Sequence, residues 1–115
     1  MGKIKIKRIY DEPTDDDGYR VLVDRLWPRG VSKKDASLDE WNKEIAPSPE
    51  LRKWFDHKEE RFQEFGRLYR EELIAKTKEL HRLKILAKKE AVTLLYGAKD
   101  PAINHAVVLK ELLMK

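Results

Sequence analysis

Two short apolar runs, at residues 19–26 and 91–97, constrain the fold more than any other feature of this sequence. Both are rich in valine, leucine and tyrosine, and they alternate with polar residues less clearly than a half-exposed strand does, which is typical of strands covered on both faces. A long stretch with helical periodicity separates them. Because strands joined through helices pair in parallel by right-handed crossovers, we predict an α/β fold with a small, mainly parallel sheet of three to four strands sandwiched by helices.

The N-terminal part of the chain adds less regular elements. Residues 3–10 alternate isoleucine with lysine, which is the period of a half-buried first strand. The acidic segment 12–18 is expected to be a polar loop that is extended by repulsion between its like charges. Residues 31–37 are expected to be turn-like, while residues 38–45 allow either a short helix or an irregular strand.

The C-terminal part is predicted to be mostly helical. Ser48 and Pro49 match the N-cap and the first position of a helix. Apolar residues then recur every three or four positions over 59–75 and again over 78–89, which predicts two further helices. Asp100 and Pro101 repeat the capping signal, so we expect the last helix to begin there.

Composition narrows the possible classes of function. The 115 residues suit a single domain spanning 1–115. The sequence has no cysteine and only three histidines, without HExxH spacing, so we expect no disulfide, thiol nucleophile, metal site or cofactor. No apolar run reaches the roughly 18–20 residues that span a bilayer, and the basic N terminus lacks the apolar core of a signal peptide. We therefore expect no membrane contact and a cytoplasmic location, in a chain whose charged, amide-poor composition resembles that of thermophile proteins.

Polar residues concentrate where the first apolar run ends. Asp24, Arg25 and Arg29 lie in a turn that proline and glycine constrain. Ligands of α/β proteins bind at such strand ends, and the planar arginine fork matches a carboxylate or a phosphate, so we predict that Arg25 and Arg29 bind an anion. The alternative is an internal salt bridge between Asp24 and one of the arginines. For Trp27, in the same turn, a role in the core is favoured over a stacking platform.

A second polar cluster follows the other apolar run, and it would meet the first cluster if the two strands are parallel. Tyr96 and Asn104 are predicted to contact the ligand. His105 and Asp24 are the acid/base candidates if the protein is an enzyme. The structural alternatives are a buried tyrosine with one hydrogen bond and an imidazole that only caps a helix. His57 could belong to the same cleft, although a helix-end histidine bonded to backbone is the favoured interpretation.

Several segments of the chain carry a family resemblance. They are KRIY at 7–10, DRLWPRG at 24–30, the stretch 39–48, WFDH at 54–57, TLLY at 93–96, KD at 99–100 and NHA at 104–106. Together they resemble the YeaO-like family of small bacterial and archaeal proteins, known as domain of unknown function 488. The resemblance runs almost from end to end, and it implies an uncharacterised α/β protein.

A wider set of relatives is similar at the same two strand ends but differs in chemistry. Those relatives have a strand ending in Asp-Val-Arg and a later strand followed by Cys, Glu and a Cys-His-Arg triplet. In this chain Tyr96 and Asn104 stand where the cysteines would fall, Ala98 replaces the acid and Ala106 replaces the arginine, while His105 matches. The thiol or metal chemistry of those relatives is therefore not expected here.

The predicted function is binding of a small anionic molecule at the C-terminal ends of the strands, with enzyme activity and oligomeric state left open. The alternative is a nucleic-acid or protein-interaction module without catalysis, which the net charge of +4 and the pI near 9.2 favour. Lys3, Lys5, Lys7 and Arg8 form a basic row that could meet nucleic acid. Lysines on an edge strand also prevent aggregation, and that interpretation is favoured.

Overall fold

The centre of the sheet is a strand from near the C terminus, β4, which spans Val92–Tyr96 in a computed structural model that describes residues 3–115. Strand β1 (Ile4–Arg8) pairs with one edge of β4, and β2 (Tyr19–Leu22) pairs with the other. Strand β3 (Glu40–Trp41) adds to β2, giving the order β1-β4-β2-β3. All three pairings are parallel, which confirms the predicted sheet.

Five helices complete the fold of the described residues. They are α1 (Lys33–Ala36), α2 (Pro49–Phe55), α3 (Phe62–Ile74), α4 (Thr77–Lys89) and α5 (His105–Leu113). Ser48 caps α2 as the sequence predicted, because its hydroxyl accepts the Leu51 amide proton. The expectation of a turn over 31–37 was wrong, because Ser32 caps a short helix there. Of the two structures allowed for 38–45, the irregular strand is the one that forms, as β3.

The two faces of the sheet carry separate apolar clusters, because successive residues of a strand point to opposite faces. Val21 and Leu94 lie in the larger cluster, with the apolar faces of α2 to α5. Leu22 and Leu95 lie in a smaller one, which Ala36 of α1 covers together with the half-buried Trp27 and Trp41. The central strands are therefore covered on both faces, as their sequences predicted.

The acidic segment is held against the sheet by ion pairs, so the expected extension by repulsion was wrong. Residues Asp15–Asp17 form one turn of 3-10 helix, and the Asp17 carboxylate is 1% exposed. Its oxygens lie 3.1 Å from Lys7 Nζ and 2.6 Å from Arg20 Nη1. Burial by itself raises the pKa of Asp17, but hydrogen bonds from the Thr14 amide, Lys7 and Arg20 outweigh it and hold that pKa well below its usual range.

The last helix begins later than its capping signal predicted. Asp100 caps its own turn instead, because its Oδ1 accepts the amide protons of Ala102 and Ile103 at 2.8 and 3.1 Å. The N-cap of α5 is Asn104, whose Oδ1 accepts the Val107 amide proton at 3.1 Å. The expected start at Pro101 was therefore wrong, and residues 97–104 form a loop beyond the end of β4.

Strand β2 also ends earlier than predicted, at Leu22. The Val23 amide still donates to the Leu95 carbonyl at 3.0 Å, but the next residue, Asp24, uses its side chain on the Gly97 amide. This contact ends the hydrogen-bond ladder between β2 and β4, and both strands continue as loops. Among residues 3–115, no helix is both long and apolar enough to cross a membrane.

Candidate functional site

Parallel pairing of β2 and β4 brings the two predicted polar clusters together. Asp24 Oδ2 accepts the Gly97 amide proton at 2.8 Å, and Asp24 Oδ1 lies 3.0 Å from His105 Nε2. Glycine favours this approach, because a Cβ at position 97 would lie 3.0 Å from Asp24 Oδ2 and the carboxylate would have to shift by a few tenths of an ångström. Asp24 thus links the end of β2 both to the end of β4 and to the first residue of α5.

The hydrogen bond of His105 fixes which imidazole nitrogen carries the proton in the neutral ring. Its Nε2 lies 2.9 Å from the carbonyl oxygen of Val23, which can only accept. Nε2 therefore bears hydrogen, and Nδ1 is the nitrogen that gains or loses a proton. Tyr69 packs edge-on against the same ring, with 6.1 Å between the centroids, and supports its orientation.

Asp24 Oδ1 is buried and accepts no hydrogen bond in the described part of the chain. The His105 N–H group is close to it but is directed at the Val23 carbonyl, so the contact between the two side chains is electrostatic. A buried carboxylate oxygen without a donor is uncommon in a folded protein, and a functional role is one explanation for such a group. This pair is the most distinctive chemical feature at the strand ends.

Tyr96 and Asn104, predicted to contact a ligand, are 2% and 1% exposed. The Asn104 side chain caps α5 and donates from Nδ2 to the Asp100 carbonyl at 2.8 Å, although the residue also borders the smaller cavity described below. Burial raises the pKa of Tyr96, so its phenol is neutral at physiological pH. The hydrogen bonds of Asn104 hold the end of the loop of residues 97–104.

Arg25 and Arg29 make no hydrogen bond or ion pair with Asp24 or His105 among residues 3–115. The Arg25 guanidinium donates to the carbonyls of Ala46 and Pro47, each at 3.2 Å, and so connects the end of β2 to the loop before α2. Arg29 is exposed, and its guanidinium has no hydrogen-bond partner within residues 3–115. Neither arginine pairs with Asp24, so the alternative of an internal salt bridge between them was wrong.

Trp27 is a packing residue, as its favoured interpretation stated. Its indole donates to the Val31 carbonyl at 2.7 Å and packs edge-on against Trp41, with ring centroids 5.2 Å apart. The turn of residues 24–30 is thereby fixed from its inner side.

Two adjacent cavities open at the ends of β2 and β4, with volumes of about 100 and 650 Å³. Four residues line both of them and show that they are neighbours: Asp24, Arg52, His57 and Ala98. We call the two cavities together the strand-end cleft. The larger volume lies within the range of about 300–1,000 Å³ that is typical of small-molecule sites.

Three basic side chains border the larger cavity: Arg52 of α2, His57 after α2 and Lys99 after β4. All three are exposed, and none has a hydrogen bond or an ion pair with any other residue that the structure describes. Sequence reasoning missed Arg52, because it lies on the exposed side of an amphipathic helix like several other basic residues. Lys99 carried a signal, since it follows a buried strand.

The backbone directs His57 towards the cleft through an unusual conformation. Asp56 and His57 both have left-handed φ angles, of 49° and 55°, directly after the last turn of α2. Non-glycine residues rarely adopt this conformation, and two in succession make a tight reversal that costs conformational energy. His57 follows the helix end, as its favoured interpretation stated, but the expected bond to backbone was wrong: its ring has no hydrogen-bond partner among residues 3–115 and lines both cavities.

Residues 3–115 contain no group of three or more His, Asp or Glu side chains placed to hold a metal ion. The strand-end cleft is also lined without serine, threonine or cysteine. What it offers is a histidine–aspartate pair, two strong cations and a second histidine. These groups can bind an anion and can exchange a proton.

Comparison with known proteins identifies relatives along the whole chain. Residues 3–115 match the family model described as "Inactive DUF488-N3 subclade". The protein named "Uncharacterized protein YeaO" from Escherichia coli (strain K12) is 51% identical over 108 residues, which cover 94% of each chain. "Uncharacterized protein Rv3073c" from Mycobacterium tuberculosis (strain H37Rv) is 42% identical over 111 residues, covering 96% of this chain and 93% of the relative.

No solved structure matches the chain significantly. The relatives and the family model nevertheless agree with the resemblance carried by the segments at the two strand ends. On this evidence the chain belongs to the YeaO-like proteins of the DUF488 family, within the subclade described as inactive.

Proposed function

We propose that this protein binds a small oxyanion, a phosphate or a carboxylate, in the strand-end cleft, and that it does so without a covalent step. One observation carries the proposal. Each carboxylate that lines the cleft accepts at least one backbone amide proton, whereas the Arg52 and Lys99 side chains have no hydrogen-bond or ion-pair partner among residues 3–115.

The two acids of the larger cavity are Asp24 and Asp100. Asp24 accepts the Gly97 amide proton and faces His105, and Asp100 accepts the amide protons of Ala102 and Ile103. Their negative charge is therefore partly compensated from within the protein.

Arg52 and Lys99 have no such compensation in the described chain, and both project into the same space. An unpaired cation at the mouth of a cleft raises the local concentration of anions. The planar guanidinium of Arg52 can hold two oxygens of one carboxylate or phosphate, while the Lys99 ammonium contributes a point charge. His57 adds a third donor when it is protonated.

Arg25 and Arg29 stay predictions as ligand-binding residues, and the proposal gives the main anion contact to Arg52 and Lys99. The roles of His105 and Asp24 in acid/base chemistry likewise stay predictions. Binding is preferred over catalysis because the cleft lacks serine, threonine and cysteine nucleophiles. The description of the matched subclade as inactive supports the same choice.

The nucleic-acid alternative loses part of its support at the basic row on β1. Lys5 and Lys7 lie 3.5 and 3.1 Å from carboxylate oxygens of Asp16 and Asp17. Arg8 donates from Nε to the Ala98 carbonyl at 2.9 Å. These side chains are engaged within the protein, and a phosphate backbone would have to displace their partners.

The test is a thermal-shift screen of phosphorylated and carboxylate metabolites, followed by calorimetric titration with the compounds that stabilise the protein. We expect Arg52→Gln and Lys99→Gln each to weaken binding roughly tenfold, the effect of losing one charge-assisted hydrogen bond. Lys53→Gln is the matched control, because Lys53 is an exposed cation next to Arg52 that does not line the cleft.

Two results would contradict the proposal. One is a panel in which no anion raises the melting temperature of the protein. The other is an equal loss of affinity in Arg52→Gln, Lys99→Gln and Lys53→Gln, since it would show attraction to overall charge instead of binding in the cleft.

A further inference from the structure

We infer that the ligand of the strand-end cleft is an oxyanion carrying a flat apolar group, as in an aryl phosphate or an aromatic carboxylate. This inference rests on the proposed anion binding and extends it to the body of the ligand. It comes from the uncharged side chains that line the larger cavity beside its charges: Tyr10, Leu26, Trp27, Pro28 and Ile103.

Leu26 is the clearest signal in this apolar lining. Its side chain is 62% exposed, although it lies in a turn whose neighbours Trp27 and Pro28 are half-buried and buried. A large apolar residue exposed inside a concave space is more informative than one on a convex surface. Covering Leu26 with an apolar group of a ligand removes both surfaces from water, which favours binding.

The polar atoms of the aromatic residues in the cavity form hydrogen bonds within the protein. The Trp27 indole N–H donates to the Val31 carbonyl, and the Tyr10 hydroxyl donates to the Arg29 carbonyl at 3.0 Å. The Arg8 guanidinium lies over the Tyr10 ring, 4.9 Å from its centroid. A ligand therefore meets ring carbons here instead of free hydrogen-bond donors, and flat apolar groups pack well on such rings.

The size of the cavity favours a ligand larger than a bare anion. A volume of about 650 Å³ is much larger than a phosphate or an acetate requires. Charged and apolar linings within one cavity match a ligand that carries both characters. Arg52 and Lys99 would hold the oxyanion, and the apolar lining would hold the ring.

The experiment compares matched anions with and without an aromatic ring by calorimetry or amide NMR. The probes are phenyl phosphate against inorganic phosphate and benzoate against acetate, so that the two pairs also distinguish phosphate from carboxylate recognition. We expect the aromatic member of at least one pair to bind at least about tenfold more tightly, as burial of several ring carbons implies.

Two variants test whether the preference for aromatic anions arises in the cleft. Leu26→Ser is expected to reduce the ratio of the two affinities several-fold, and its exposed position keeps the fold intact. Ile74→Ser is the matched control, because Ile74 is 73% exposed at the end of α3 and does not line this cavity. The ratio is expected to be unchanged in that control.

The outcomes distinguish this inference from the proposed function. Equal affinities within both pairs, with binding that still depends on Arg52, would overturn the inference and leave anion binding standing. A ratio that falls equally in Leu26→Ser and Ile74→Ser would also overturn it. If none of the four probes binds, the proposed function and the inference fail together.

Discussion

His105 shows how a single hydrogen bond sets the chemistry of a residue. Because its Nε2 proton is directed at the Val23 carbonyl, the ring cannot use that nitrogen as a base. Any proton exchange with a ligand must therefore occur at Nδ1. Protonation there would place a full positive charge next to Asp24 Oδ1, an oxygen that accepts no hydrogen bond from residues 3–115.

We expect neutral His105 to be present only as the Nε2–H tautomer. The measurement is a long-range nitrogen–proton NMR correlation at a pH above the titration of the histidines. His57 is the internal control, because its ring has no hydrogen-bond partner in the described residues and should show both tautomers. A spectrum with the proton of His105 on Nδ1 would contradict the geometry of the site.

The residues of the candidate site differ in how far the sequence could predict them. Asp24 and His105 follow or flank buried strands, and parallel pairing was enough to bring them together. Arg52 and His57 depend on where α2 packs and on a rare left-handed reversal after it. Such contacts arise from tertiary packing, so the sequence left the place of His57 open and gave no signal for Arg52.

At the level of elements, the connection into β2 depends on a glycine. Gly18 has a φ angle of 65°, and a Cβ there would lie 2.2 Å from the Ala91 carbonyl oxygen, just before β4. That oxygen accepts the Tyr19 amide proton at 2.9 Å, so it cannot move away without breaking the first bond between β2 and β4.

We expect Gly18→Ala to lower the free energy of unfolding by about 3 kcal/mol, combining the positive φ with a steric clash. Gly30→Ala is the matched control. Gly30 has a φ angle of 74°, but its Cβ would meet no atom within 4 Å, so only the backbone cost of about 1 kcal/mol applies. Urea denaturation of both variants measures the difference, and equal losses would show that the Ala91 contact is unimportant.

The start of α5 provides a second prediction for an element. Asn104→Ala removes the N-cap and the bond to the Asp100 carbonyl, and we expect it to destabilise the protein by about 1–2 kcal/mol. Pro101→Ala should change stability by less than about 0.5 kcal/mol, because Pro101 is exposed and lies outside the helix. The opposite ranking in chemical denaturation would restore the helix start that the sequence predicted.

The starts of α2 and α5 explain why one capping signal in the sequence predicted the helix start correctly and the other did not. Ser48 and Pro49 stand alone before an amphipathic pattern, so the signal had one interpretation. Asp100 and Asn104 both suit an N-cap, and they are four residues apart. The structure uses Asp100 for the turn and Asn104 for the helix, a choice made by the distance between the end of β4 and the packed residues of α5.

For the whole molecule, ionised carboxylates connect the elements on two sides of the sheet. Asp17 joins β1 to β2 through Lys7 and Arg20. Glu40 of β3 lies 2.5 Å from Arg82 of α4, and although burial raises the pKa of Glu40, hydrogen bonds from Arg82 and Tyr19 lower it overall. Each carboxylate stabilises the fold in its charged form.

We expect the free energy of unfolding to fall as the pH drops below about 5. The folded protein holds the pKa of Asp17 and Glu40 below the values of the unfolded chain, so their stabilisation is complete above those unfolded values. It is lost as protonation proceeds towards the lower folded pKa. Urea denaturation at a series of pH values from 7 to 3 measures this loss.

Variants of the acidic turn test whether Asp17 causes the loss of stability at low pH. Asp17→Asn should cost about 3 kcal/mol at neutral pH, because it leaves the buried Arg20 without its carboxylate, and it should flatten the pH profile. Asp15→Asn is the control from the same turn, since Asp15 is exposed and its side chain has no partner among residues 3–115. A profile as steep in Asp17→Asn as in the parent chain would show that other groups dominate.

The position of β4 at the centre of the sheet has a consequence for the order of synthesis. Ile4 pairs with Val92, and Tyr19 pairs with the same residue from the other side. Until β4 has left the ribosome, β1 has no strand partner and β2 has only the two residues of β3. Contacts so distant in sequence form late. We expect a fragment that ends at Glu90 to lack dispersed amide NMR signals, which would mean that the nascent chain folds only after β4 has been synthesised.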